Sequence, residues 1–192
     1  LEGDPLGLYR SLAQSQKTAY GGYIHAGDHF VLSRSPELFV SRAGDKISAR
    51  PMKGTLRRAP LAAQDAADRA ALSADKKNRA ENLMIVDLLR NDFARIAEIG
   101  SVKVTDLFTV ETFPTLHTMT SGITAQLRPD VGFVEIIQNL FPCGSITGAP
   151  KLRAMEIIRE VEPRPRGLYT GSIGYLAPNG DFAFNVAIRT AV

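Results

Sequence analysis

Between residues 21 and 53 short β-rich runs alternate with turn signals: Tyr23-Ile24, Gly27-Asp28, residues 30–32, residues 38–40, then Gly44-Asp45. Such punctuation predicts an antiparallel meander. From residue 61 to 97 the apolar period changes to 3.6 and is interrupted near Ser73-Ala74-Asp75, which predicts two helices, the second starting near Asp75 and running through Leu83, Ile85, Val86 and Leu89. Residues 101–127 return to strand-like sequence with a break at Pro114. Helices are expected over residues 132–140 and 149–161, with Pro150 in a first turn. Residues 170–176 and 182–190 flank Pro178-Asn179-Gly180, where Asn-Gly signals a hairpin. Antiparallel groups of strands with helices between them, lacking regular β-α-β alternation, indicate an α+β fold of antiparallel sheets with flanking helices.

Composition narrows the class without naming a chemistry. A chain of 192 residues with 44% apolar content fills one ordinary domain. Net charge is only +3, and the basic residues are scattered, so neither nucleic acid nor an anionic surface is the expected partner. The single cysteine, Cys143, cannot form an internal disulfide, which suits a reducing compartment, the cytoplasm by default. No stretch is long and apolar enough for a membrane helix, so no membrane role is expected. The first residue is not Met and the last segment stops within strand-like sequence, so residues 1–192 are read as part of a longer polypeptide.

Several residues carry possible chemistry. Glu81 falls in line with Ile85 and Leu88 on its helix, placing a carboxylate on an apolar stripe. Burial there requires an ion pair or a metal, and the pattern alone favours the ion pair. Residues 142–151 join two helices, and the free N–H groups at the second helix, with Thr147 nearby, suit an anion. It is not a phosphate-binding Walker loop, because Pro150 precedes Lys151 and Leu152 follows it. Lys53 precedes Gly54, and a lysine desolvated in a pocket can act as a nucleophile, although most lysines are simply solvated. Alternation places Arg189 with Asn185 and Ala187, away from the large apolar residues, to face either a carboxylate or water. His25, His29 and His117 lack metal-ligand spacing.

Together the motifs resemble one family. Residues 51–55 (Pro-Met-Lys-Gly-Thr), 77–92 (starting Lys-Asn-Arg-Ala-Glu-Asn), 144–151 (Gly-Ser-Ile-Thr-Gly-Ala-Pro-Lys), 170–175 and 185–190 are similar, in that order, to the chorismate-utilising enzymes. The resemblance covers the chain from about Ser33 to its end and implies a chorismate-binding, anthranilate synthase component I-like fold, here a partial catalytic domain truncated at both ends. Anthranilate synthases typically carry Ala where Lys53 stands, whereas aminodeoxychorismate synthases carry Lys. The implied activity is therefore amination of chorismate to 4-amino-4-deoxychorismate, for p-aminobenzoate and folate synthesis, with ammonia from a glutamine amidotransferase.

In that family the lysine matching Lys53 is thought to attack C2 of the ring, and the carboxyl matching Glu37 protonates the departing C4 hydroxyl. The resemblance also implies that Glu81 is a Mg2+ ligand, reversing the preference drawn from pattern. Thr147, Tyr169 and Arg189 match substrate-binding positions, the latter two at the pyruvyl carboxylate, and His117 matches an active-site histidine. Met52 and Cys143 depart from the usual Ile and Gly. An anthranilate or isochorismate synthase, or a truncated module that binds chorismate without turnover, are the rival readings.

Overall fold

The computed structural model describes residues 3–192. Its elements are helices α1 (Pro5–Ser15), α2 (Ala62–Ala74), α3 (Lys76–Ala94), α4 (Phe133–Leu140) and α5 (Lys151–Val161). The strands are β1 (Tyr20–His25), β2 (Phe30–Ser35), β3 (Leu38–Ala43), β4 (Lys46–Arg50), β5 (Met52–Arg57), β6 (Lys103–Thr112), β7 (Leu116–Gln126), β8 (Ser172–Leu176), β9 (Phe182–Val186) and β10 (Thr190–Ala191). The meander, both helix pairs and the hairpin fall where the pattern places them. Helix α1 was not anticipated, although Asp4 caps it by accepting from the Leu6 amide and Pro5 opens it.

Strand β7 is the spine of the larger sheet. One edge pairs antiparallel with β6 along residues 117–124 of β7, and β5 and β4 pair with residues 116–120 and 123–126. Because a strand has two edges, β5 and β4 lie end to end along the second. Pro51 stands at their joint, where a residue without an N–H costs the ladder nothing, and its carbonyl accepts from the Ser121 amide at 3.2 Å. The sheet continues from β4 through β3 and β9 to β8. The smaller sheet has the order β1-β2-β10.

Helices α2 and α3 pack over β5, β6 and β7. In α3 the buried positions are Asn82, Ile85, Val86, Leu89, Asp92 and Phe93, a stripe with helical spacing. Ile85, Leu89 and Phe93 join Phe39, Ile47 and Ile123 in the core.

The chain passes between the sheets twice at one corner. From β2 to β3 it crosses at Pro36-Glu37; from β9 to β10 it crosses at residues 187–189. The crossings are bonded together: the Ser35 hydroxyl donates to the Val186 carbonyl at 2.6 Å, and the Val186 amide donates to the Glu37 carbonyl at 3.1 Å. This corner corrects the expectation of one strand through residues 182–190. Arg189 takes φ +49, a left-handed conformation rare outside glycine, and does not share a pleat with Asn185. Asn185 is buried and donates to the Tyr20 carbonyl at 2.8 Å and the Ser33 hydroxyl at 3.2 Å. The physical reason is that β10 must leave the larger sheet to pair with β2.

Candidate active site

The corner, a bulge in β5 and the loop after α4 bring three groups together. Glu37, at the first crossing, is 4% exposed. Its Oε1 has no hydrogen-bond partner in the protein. Burial pushes its carboxyl above the ordinary 4.5, while the Ser145 side chain, the Met52 backbone and the charge of Lys53 pull it partly back. Lys53 leaves β5 at the bulge, and its Nζ donates to the Ser145 carbonyl at 3.0 Å. Ser145 therefore stands between a buried acid and an amine.

That serine belongs to a single 3₁₀ turn, Gly144–Ile146, following α4. The loop runs close against α3, since a Cβ on Gly144 would lie 2.5 Å from Leu88 Cδ2. The Thr147 hydroxyl donates to the Cys143 carbonyl at 3.1 Å, closing the turn. The Cys143 thiol lies 3.2 Å from the Ser145 hydroxyl, and burial pushes it up to about 12. Lys151 is tied inward, to Asp92 and to the Leu140 carbonyl at 3.0 Å. It anchors the start of α5 to α3.

Two hollows gather other candidate residues, and only the second is lined by this loop. A cavity of about 130 Å³ is lined by Glu37, Met52, Thr55, Thr118, Ile188 and Arg189. A more open cleft of about 530 Å³ is lined by Phe141, Ile146, Thr147, Met155, Ile158 and Tyr169. Arg166 braces the cleft, with its guanidinium on Glu162 and donating to the Ile146 carbonyl at 3.2 Å. Glu37 and Arg189 thus share one hollow, while Thr147 and Tyr169 share the other. Ser145 and Ile146, adjacent in sequence, connect the Lys53 contact to the second cleft.

His117 does not reach either hollow. It is 1% exposed, with Nε2 3.0 Å from Asp65 Oδ1 and Nδ1 3.0 Å from Thr112 Oγ1. Successive side chains on a strand point to opposite faces, so His117 faces α2 and its neighbour Thr118 lines the Glu37 cavity. The signal for Thr118 was this alternation along β7.

Glu81 stands on the rim of the buried stripe of α3, its side chain 43% exposed and 3.9 Å from Lys77. The described residues hold no group of three or more His, Cys, Asp or Glu side chains able to enclose an ion.

The whole of residues 1–192 matches the family model for chorismate binding enzymes. The chain belongs to the chorismate-binding enzyme family. It is 46% identical to the aminodeoxychorismate synthase component 1 of Klebsiella aerogenes over 98% of this chain and 42% of that one. With the protein of the same name from Escherichia coli K12 it shares 45% identity, again over 98% and 42%. The structure of anthranilate synthase component I from Streptococcus pneumoniae superposes with a TM-score of 0.89 at 36% identity, covering 99% of this chain and 42% of that one. The chain therefore spans about two fifths of the length of these relatives. The α+β family fold is the expected one. No described helix is long and apolar enough to cross a membrane.

Proposed function

We propose that this chain carries the nucleophile and the acid of an enzyme that aminates chorismate to 4-amino-4-deoxychorismate, with ammonia delivered by a glutamine amidotransferase. The observation that carries the reading is the pairing of Glu37, a buried carboxyl shifted towards its protonated form, with Lys53 across Ser145. A general acid must hold its proton near working pH, and burial moves Glu37 in that direction. A lysine in place of alanine and the names of the relatives support amination over the anthranilate reaction.

In the proposed chemistry the neutral Lys53 amine forms a bond to ring C2, both ring double bonds shift (C1=C2 to C1=C6 and C5=C6 to C4=C5), and the C4–O bond breaks as Glu37 protonates the departing oxygen, giving water. Ammonia then adds at C4 and loses a proton, both double bonds return to C5=C6 and C1=C2, and the C2–N bond to Lys53 breaks, releasing the amine. Covalent catalysis divides one difficult substitution into two. Arg189, in the Glu37 cavity, suits the pyruvyl carboxylate. Tyr169 and Thr147 offer polar contacts from the adjoining cleft.

Mg2+ is the proposed cofactor, with Glu81 as one ligand. Its half-exposed carboxylate shares only a long contact with Lys77, leaving oxygens free for an ion that ordinarily combines one or two carboxylates with substrate oxygens and waters. When bound, the ion supplies positive charge to a substrate carboxylate. A reducing compartment, the cytoplasm, suits the single buried cysteine, and aminodeoxychorismate feeds p-aminobenzoate and folate synthesis.

The test is a product assay on the longest polypeptide that carries this sequence, supplied with chorismate, Mg2+ and ammonium. The expected product is 4-amino-4-deoxychorismate, abolished in Lys53→Ala. Without ammonium, intact-protein mass spectrometry should detect a ring adduct on the Lys53 peptide. Anthranilate or isochorismate as the product would overturn the reading. Chorismate titrations of wild type and Glu81→Gln with and without Mg2+ test the metal, and equal dependence on Mg2+ in both removes Glu81 from it.

A further inference from the structure

We infer that Thr118 is a positioning residue that sets the aim of Lys53. Its effect on turnover rests on the amination reading above, whereas its effect on Lys53 itself does not. Between Met52 and Thr55 strand β5 advances three residues, while β7 advances two, from Thr120 to Thr118. The pair Lys53-Gly54 therefore opposes the single residue Met119. An extra residue disrupts the ladder, bends the strand and re-aims its side chain, so the bulge decides where Lys53 points.

The bulge is held from two directions. Gly54 adopts φ +81, and a Cβ there would fall 2.8 Å from the Asn78 side chain, so α3 closes tightly over a position that only glycine fits. From the other direction the Thr118 hydroxyl donates to the Gly54 carbonyl at 3.0 Å. Thr118 is 1% exposed, so bulk water has little access to replace that donor. The held bulge carries Lys53 Nζ to within 3.0 Å of the Ser145 carbonyl, at the loop that also meets Glu37. Thr118 lines the same cavity as Glu37 and Arg189, yet its hydroxyl is spent on the backbone beside Lys53.

Substituting valine retains the branched shape and removes the donor, leaving the Gly54 carbonyl without that partner in a buried place. Two measurements on the longest polypeptide carrying the sequence test the inference. The first is competitive acetylation with acetic anhydride, read by peptide mass spectrometry as the Lys53 rate relative to exposed Lys77. Thr118→Val should change that ratio by about threefold or more, and Thr118→Ser should match wild type, because serine keeps the donor. The second is steady-state amination, where Thr118→Val should lower kcat by about tenfold or more with the chorismate KM changed by less than about twofold, and Thr118→Ser should restore most of the rate.

Unchanged Lys53 labelling in Thr118→Val overturns the inference, as does a serine variant that behaves like valine. If the valine variant does not fold, Thr118→Ala replaces it with the same two outcomes. A wild type that aminates nothing while its Lys53 labelling still responds to Thr118→Val overturns the proposed function and leaves the positioning role standing.

Discussion

Two buried carboxylates lie on either side of the same stretch of sheet, and their surroundings are opposite. Asp65, at the start of α2, accepts from the Arg58 guanidinium at 2.8 Å, the Ala59 amide at 3.0 Å and faces His117 at 3.0 Å. Arg58 foremost, with His117 and the Ala59 amide, outweighs burial and lowers its carboxyl from 3.8 to about 2. Glu37 instead keeps one oxygen without a protein partner, and burial raises it. A carboxylate whose lone pairs are filled by its own fold has no capacity left for a ligand. A buried one left unsatisfied is a cost that a structural role does not require, and it keeps its proton available for chemistry.

The largest expected effect separates the two regions by activity. Glu37→Gln in the proposed amination should lower kcat by about 10²–10⁴-fold, the range for loss of a general acid, while binding changes far less. Steady-state kinetics at saturating ammonium reads this directly, and weakened chorismate binding at unchanged kcat would make Glu37 a binding group instead.

His117→Ala should do the reverse. Removing a buried ring that engages both Asp65 and Thr112 should destabilise the fold by about 1–3 kcal/mol, with kcat/KM retained within about threefold once the protein is folded. Urea denaturation measures the first quantity. A collapse of kcat/KM in folded protein would return His117 to the active site.

The same contrast has a signature in the pH dependence of stability. Because Glu37 is raised in the folded state, the native protein binds more protons than the unfolded chain from about its ordinary 4.5 up to its shifted value, and stability declines as pH rises through that window. Glu37→Gln should remove that decline, so that the variant gains stability relative to wild type on going from pH 4 to pH 8. Asp65 acts with the opposite sign: its contribution is complete above 3.8 and is lost as pH falls towards about 2. Asp65→Asn should therefore flatten the acid limb of the curve. Identical pH profiles for wild type and both variants would erase the distinction between the two carboxylates.

The smallest effect concerns the thiol beside Glu37. With Cys143 buried and pushed up to about 12, almost no thiolate is present at pH 8. Iodoacetamide should leave the native protein unmodified and label Cys143 fully in urea. Rapid labelling of native protein would mean that the loop opens, and with it the enclosure of Glu37.

Much of this molecule follows from local pattern. The break at Ser73-Ala74-Asp75 became the boundary between α2 and α3, where the Asp75 side chain accepts from the Asn78 amide at 2.7 Å to cap the second helix. The Asn179-Gly180 turn joins β8 to β9 where the hairpin signal stands. The five motifs sufficed for the family, because short-range spacing records which residue types a fold keeps near one another.

Which of those residues meet was decided by packing over long separations. Lys53 and Ser145 are 92 positions apart, Asp65 and His117 are 52 apart, and no local period connects either pair. The sign of a single pleat settled that His117 turns to Asp65 and Thr118 to the Glu37 cavity. The passage from β9 to β10 placed Arg189 at a corner that alternation along one strand does not describe. Helix and strand periods act over a few residues, whereas burial of Glu37, and with it the shift that fits it for proton donation, exists only after both sheets and the loop behind α4 have closed around it.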